Sequence, residues 1–365
     1  MNIVYRADVL GSLLRPAHLK SARQDYQAGR IALAEFKRIE DRCVDAAIAM
    51  QEGTGVEVVT DGELRRSAFF GPFTDTIEGL SGVQKIDSRL VGQGASNREF
   101  DSPMVIGKIR RRRSIATEEF AYARARAAKP LKATLPSPLM MFLHWSPEIS
   151  KAAYRDPFEM FADAAAIVRE EVRDLAAIGC SYIQIDAPEI GILVDPATRR
   201  SAFEAQGISA DRALTEGMDL INSVVAGVSG VTFGLHLCRG NYKGNWFSSG
   251  GYEAIARNVF ERSSNYDLYL LEYDDPRSGS FEPLRQVPAG KGVVLGLVSS
   301  KTNTVESLDS VLARIDEAAR YFPRELMAVS TQCGFASVME GNPVSAESQE
   351  AKLRLVAEAA RRAWS

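Results

Sequence analysis

Eight short runs rich in β-branched and aliphatic residues recur along the chain, and helical stretches separate most of them. They are RADVLGS (6–12), VEVVTDGE (56–63), LKATLPSP (131–138), YIQIDAPE (182–189), VTFGLHLC (231–238), DLYLLEYDD (267–275), GVVLGLVSS (292–300) and LMAVSTQCG (326–334). Most are continuous apolar runs, the pattern of parallel strands covered on both faces. Between them, 35–53, 160–179 and 307–322 repeat their apolar residues with helical periodicity. Gly53 and Gly179 offer the left-handed turn that ends a helix.

This alternation predicts an α/β chain closed into a (β/α)8 TIM barrel. An open doubly wound sheet is the alternative, but no glycine-rich phosphate loop follows the first run. The interval from Glu63 to Leu131 is too long for a single helix. Residues 75–125 therefore read as a partly stranded insertion, a β-hairpin between strands two and three. No linker divides the chain, so 1–365 reads as a single catalytic barrel.

A content of 45% hydrophobic and 25% charged residues allows a large core and a soluble surface. The net charge of −3 gives no global pull toward nucleic acid or a membrane surface. The one basic cluster, KIRRRR (Lys108–Arg113), is followed at once by acidic TEEF and reads as a solvated face. No apolar stretch approaches the ~20 residues that span a bilayer. The N-terminal residues lack the charged-then-apolar order of an export signal. Cys43, Cys180, Cys238 and Cys333 lie far apart and read as reduced thiols of a cytoplasmic protein.

In such a barrel the functional side chains gather at the C-terminal ends of the strands. His236 and Cys238 end the fifth run, Glu272 ends the sixth, and Cys333 follows the eighth. Residues two apart on a strand point the same way, so His236 and Cys238 converge. Imidazole, carboxylate and two thiolates together suit zinc. Singly, each has a plainer reading: a packed histidine beside a buried thiol, a solvated acidic strand end, a turn with an inert cysteine. The conjunction selects the metal site.

The segments GLHLCRGN, LLEYDDPRSG, VLGLVSSK and STQCGF, with LGSLLRP, TDGELRRS and QIDAPE, span most of the chain. Together they resemble the catalytic barrel of the cobalamin-independent methionine synthases and its shorter single-barrel relatives. The resemblance implies Zn2+ held by His236, Cys238, Glu272 and Cys333. It also implies homocysteine met by Gly11 and Ser12 through backbone and hydroxyl, its ammonium held by Glu63 and Asp186. A turn serine and helix-capping acids are the other roles open to these residues. Arg15, Arg65 and Arg277 are carboxylate partners or structural ion pairs. Trp145 in FLHWSPE matches a tryptophan that contacts the pterin of a methyl carrier, or packs under its loop; His144 beside it reads as structural or exposed.

The four ligands carry about −3 against the +2 of zinc, which leaves an incoming sulfur electron-rich. The expected function is a zinc-dependent thiol methyltransferase that converts homocysteine to methionine. The substrate thiolate is the nucleophile, and no separate protein nucleophile is expected. The full-length synthases use an additional N-terminal barrel to help hold polyglutamylated folate, and this sequence has no counterpart of it. Methylcobalamin or a corrinoid on a partner protein is therefore the expected donor, with 75–125 as its docking edge. The alternatives are a thiol alkyltransferase or lyase, such as one joining coenzyme M to an epoxide, and a non-catalytic zinc-binding protein. A relative of the porphyrinogen decarboxylases would leave the zinc ligands unexplained.

Overall fold

The computed structural model describes residues 5–89 and 97–365. Six parallel strands follow one another in chain order: β3 (Ala133–Pro136), β4 (Tyr182–Asp186), β5 (Thr232–Leu237), β6 (Leu268–Glu272), β7 (Gly292–Val298) and β8 (Met327–Thr331). The first two runs of the sequence complete the ring, but only through single bridges. Ala7 pairs with Val329, and Val59 pairs with Leu131. Around them Asp8 N–H donates to the Val329 carbonyl at 3.0 Å, Glu57 N–H to Ala7 at 3.0 Å and Lys132 N–H to Val59 at 2.9 Å. The chain thus forms a (β/α)8 barrel whose first two positions are shorter than their sequence runs. Gly11, at φ 128, bends the chain out of the first position within a few residues of its bridge.

Side-chain parity divides the strands. Val293, Leu295, Ile183, Ile185 and Leu235 face outward into the large core shared with the helices. Leu10, Val58, Tyr182, Leu268, Leu270, Val294 and Ala328 form the small core inside the barrel. Alternation along the strands then points Asp186, His236 and Glu272 inward at the top of that interior. Lower down, Lys132 Nζ pairs with Asp8 Oδ1 at 2.7 Å, and Tyr182 Oη donates to Asp8 Oδ2 at 2.7 Å.

The helices follow the apolar period. Pro157–Ala177 starts at Asp156, whose side chain accepts from Phe158 N–H, and buries Phe161, Ala164, Val168, Val172 and Leu175. Each fully buried Val or Leu contributes roughly 1.5–3 kcal/mol. Leu33–Thr54 is capped by Gly55 at φ 93, two residues beyond the glycine expected to close it. Gly53 makes no turn because the helical hydrogen bonds continue through it. Gly179 does take a left-handed conformation, at φ 85.

The insertion between the second and third barrel positions is an antiparallel hairpin, β1 (Ile77–Arg89) with β2 (Asn97–Arg111). The basic run at its end lies against acids. Arg111 meets Glu171 at 2.5 Å and Asp174 at 2.6 Å, and Lys108 lies over the Tyr154 ring at 3.8 Å. Among the described residues, no helix is long and apolar enough to cross a membrane.

Candidate metal and thiol site

Strand register brings the first two site residues together. Asp186 and His236 are partners across β4 and β5, and Asp186 Oδ1 accepts from His236 Nδ1 at 2.7 Å. Gln184 Nε2 donates to the same oxygen at 2.7 Å. Burial opposes a charged imidazole, but the Asp186 bond more than offsets it and raises the His236 pKa. With Nδ1–H given to Asp186, a neutral ring presents its Nε2 lone pair, and Nε2 is buried with no hydrogen-bond partner. A carboxylate behind a histidine with its other nitrogen free is the arrangement that orients metal-ligating imidazoles.

Donor atoms of His236, Cys238 and Cys333 lie within 4.8 Å of one another, all buried. The Cys238 thiol hydrogen-bonds to Cys333 and holds the Cys333 thiol down at about 7, while Cys238 itself is pushed up. One nitrogen and two sulfurs at this spacing fit a single zinc-sized ion, with a coordination position left over.

Glu272, expected as the fourth ligand, does not join that group. Its carboxylate is fully buried and already engaged by Arg277, by Lys301 Nζ at 3.2 Å and by the Arg239 N–H at 2.6 Å. Burial alone would raise its pKa, but Lys301, Arg277 and Arg239 together hold it well below the usual carboxylate range. In this conformation Glu272 is the anchor of a cationic cluster.

Two loops shape the thiol side. Gly11 is required because a Cβ there would sit 2.6 Å from Glu63 Oε1 at a φ that side chains avoid. Glu63 itself adopts φ 54, held by its N–H bond to Asp61 Oδ1 at 2.9 Å. Its Oε1 accepts from Thr134 at 2.8 Å, while its Oε2 is buried without a partner. Burial lifts the Glu63 pKa to about 7 against the pull of Arg66. Ser12 lies against the loop of Cys333, and its carbonyl accepts from Phe335 N–H at 2.7 Å. Gly11 and Ser12 therefore abut both Glu63 and the second cysteine.

The arginines serve the scaffold. Arg15 donates to the carbonyls of Glu63, Arg66, Ala336 and Val338, which locks the loops after the second and eighth barrel positions together. Arg65 pairs with Asp41 at 2.5 Å, and Arg277 with Glu272 and Asp275. None of the three lines the cavity above the cysteines. Cys43 and Cys180 are buried free thiols away from that cavity.

The cavity measures about 460 Å3, and Ser12, Glu63, Asp186, His236, Cys238 and Cys333 line it together with apolar and aromatic side chains. Trp145 does not reach it. The indole is 3% exposed and donates to the Gln206 carbonyl at 3.0 Å, so it packs beneath its loop. His144 does line the cavity; burial holds it neutral, with a pKa of about 4 against a small contribution from the Pro103 carbonyl. Three groups escaped the sequence reading. Lys301 sits three residues past the end of β7, Gln184 sits mid-strand, and Glu189 follows the QIDAP turn. Glu189 is the second residue of the helical turn Pro188–Gly191, accepts from the Ser137 hydroxyl and leaves Oε2 buried and unpartnered.

Residues 7–361 match the family described as "Cobalamin-independent synthase, Catalytic domain". "Uncharacterized protein YxjH" of Bacillus subtilis is 35% identical over 365 residues, which covers 99% of this chain and 95% of that protein. The "Methionine synthase" of Saccharolobus solfataricus is 25% identical over 327 residues, 89% of this chain and 86% of its own. Among solved structures, a B12-independent methionine synthase from Shewanella sp. W3-18-1 in complex with selenomethionine superposes with a TM-score of 0.76 over 98% of this chain and 97% of its own, at 19% identity. At that identity the likeness speaks for the fold.

Proposed function

Because the chain belongs to the catalytic-domain family of the cobalamin-independent methionine synthases, we propose that it is a zinc-dependent thiol methyltransferase that converts homocysteine to methionine. The observation that carries this reading is the buried, partnerless Nε2 of His236 beside the sulfurs of Cys238 and Cys333, at the wall of a ligand-sized cavity. Zinc held by these three residues would supply the positive charge that keeps a bound thiol ionised at neutral pH.

The chain's own groups prepare the acceptor. Asp186 fixes the His236 ring with Nε2 turned to the site. Glu63, with an unpartnered oxygen, takes the substrate ammonium, and Asp186 adds a second negative charge nearby. The Ser12 hydroxyl and the backbone around Gly11 meet the remaining polar atoms of the amino acid. The aromatic wall keeps water from the thiolate. Residues 1–365 act as one catalytic barrel, with 75–125 as an insertion.

Among the described residues no Lys or Arg lines the cavity. That favours a thiol bearing an ammonium over coenzyme M, whose sulfonate needs a cation. It also disfavours a polyglutamylated folate. A corrin macrocycle does not fit within about 460 Å3, so a methylcobalamin or corrinoid-protein donor would present its methyl group from outside, along the hairpin edge. The test is turnover of zinc-loaded protein with homocysteine and a panel of methyl donors, with methionine read by mass spectrometry. Methionine that disappears in Cys333→Ser supports the reading; stoichiometric zinc with no turnover of any thiol replaces it with a non-catalytic zinc protein.

A further inference from the structure

Part of the cavity wall is unusual in its charge. Phe69, Phe70, Phe142 and Phe247 line it together with Glu189. Of the acids that line the cavity, Asp186 is bonded to His236, Glu63 lies 3.7 Å from Arg66, and Glu340 pairs with Lys243 at 2.6 Å. Glu189 is 1% exposed, has the neutral Ser137 hydroxyl as partner for one oxygen, and has nothing for Oε2. A buried carboxyl without a counter-charge is costly unless a ligand completes it. An apolar ligand leaves Oε2 unpaired, and an anionic ligand meets carboxylates with no Lys or Arg among the described residues to answer it. A cation satisfies the carboxylate and the ring faces together.

Glu189 is also fixed close to the chemistry. Gly191, two residues on, packs so tightly on the end of β5 that a Cβ there would collide with the Cys238 carbonyl oxygen. The turn carrying Glu189 therefore rests on the strand end that carries a metal-ligand thiol.

The geometry points to a small methyl-onium compound, above all a methyl sulfonium, as the methyl donor, bound between the phenylalanine rings and Glu189. This inference rests on the thiol methyltransferase reading. The acceptor thiol loses its proton to solvent on binding. Its sulfur then forms the new S–CH3 bond as the donor's S–CH3 bond breaks, and the electron pair of the broken bond stays on the donor sulfur, which leaves as a neutral thioether. Thiolate and sulfonium charges cancel, so a dry cavity favours the step, and no oxidant or reductant enters. A quaternary ammonium shares the binding chemistry but has a poorer leaving group.

The test has a binding arm and a turnover arm, both on the full chain at pH 8.5. In the first, calorimetry compares choline with its neutral carbon isostere 3,3-dimethylbutan-1-ol. The expected preference for the cation is about tenfold or more; it falls to near unity in Glu189→Gln and is reduced in Phe70→Leu, which keeps every charge. In the second, trimethylsulfonium and homocysteine yield methionine and dimethyl sulfide. Equal binding of cation and isostere overturns the proposal. So does methionine formed from methylcobalamin or the folate triglutamate but not from the sulfonium. A cation preference with no methionine from any donor leaves the onium site standing and overturns the thiol methyltransferase reading instead.

Discussion

Replacing Glu189 by glutamine changes one atom and should make the protein more stable, by an amount that depends on pH. Burial raises the Glu189 carboxyl from an ordinary 4.5 to about 8, with the Ser137 bond pulling weakly the other way. Between those values the folded chain keeps the proton and the unfolded chain has lost it. The unfolded state binds fewer protons, so stability falls as pH rises from about 4.5 to about 8 and is level beyond. Each pH unit in that window is worth about 1.4 kcal/mol. The cost to the parent is therefore below about 1 kcal/mol at pH 5, about 3 kcal/mol at pH 7 and about 5 kcal/mol above pH 8. Glutamine carries no such proton and still offers a carbonyl oxygen to Ser137. Urea denaturation of parent and Glu189→Gln at equal metal content, from pH 5 to pH 9, should show curves that nearly coincide at the acid end and separate steadily toward pH 8. A stability difference that stays flat across this range would refute the reasoning, because the carboxyl would then be solvated or paired in the fold.

Cys238→Ser and Cys333→Ser should each lose most of the bound zinc by elemental analysis, while Cys43→Ser and Cys180→Ser retain it; full zinc in the first pair would remove both sulfurs from the site. Asp186→Asn should lower zinc affinity by about 10–100-fold in a chelator competition, since it withdraws the acceptor that fixes His236. Glu63→Gln should leave zinc in place and weaken homocysteine binding by roughly ten- to a hundredfold, the value of about 1.5–3 kcal/mol for a charge-assisted hydrogen bond; unchanged binding would place the ammonium elsewhere. Lys301→Met should destabilise the fold by about 3 kcal/mol or more, because Glu272 and Asp274 are fully buried beside it; a neutral effect would mean that Arg277 alone suffices.

The strand count and the barrel were legible because buried parallel strands are written as continuous apolar runs, and β3 to β8 fall inside those runs. The clustering of His236, Cys238 and Cys333 was legible for the same reason: once the strands are placed, their ends share one mouth. What escaped was the competition for each polar group. Nothing in LLEYDD says that Glu272 will be claimed by Lys301, which lies on another strand's loop. Nothing in LLRP says that Arg15 will spend its guanidinium on four carbonyls. Trp145 has the composition of a stacking residue, and only the position of Gln206 decides that it packs instead. Glu189 was invisible because a glutamate after proline reads as an ordinary first-turn residue of a helix.

The uneven closure of the barrel divides the pocket by stiffness. His236 belongs to β5, and Cys238 directly follows that strand, which is laddered on both sides by strands paired over several residues. Gly11, Ser12 and Glu63 hang from the two positions whose strand pairing, among the described residues, is the single bridges Ala7–Val329 and Val59–Leu131. Amide protons should exchange with solvent fastest along those two seams and slowest in β4 to β6. An amino-acid ligand can then enter and leave by breathing of the loosely stitched side, while the histidine and its neighbouring cysteine stay in register.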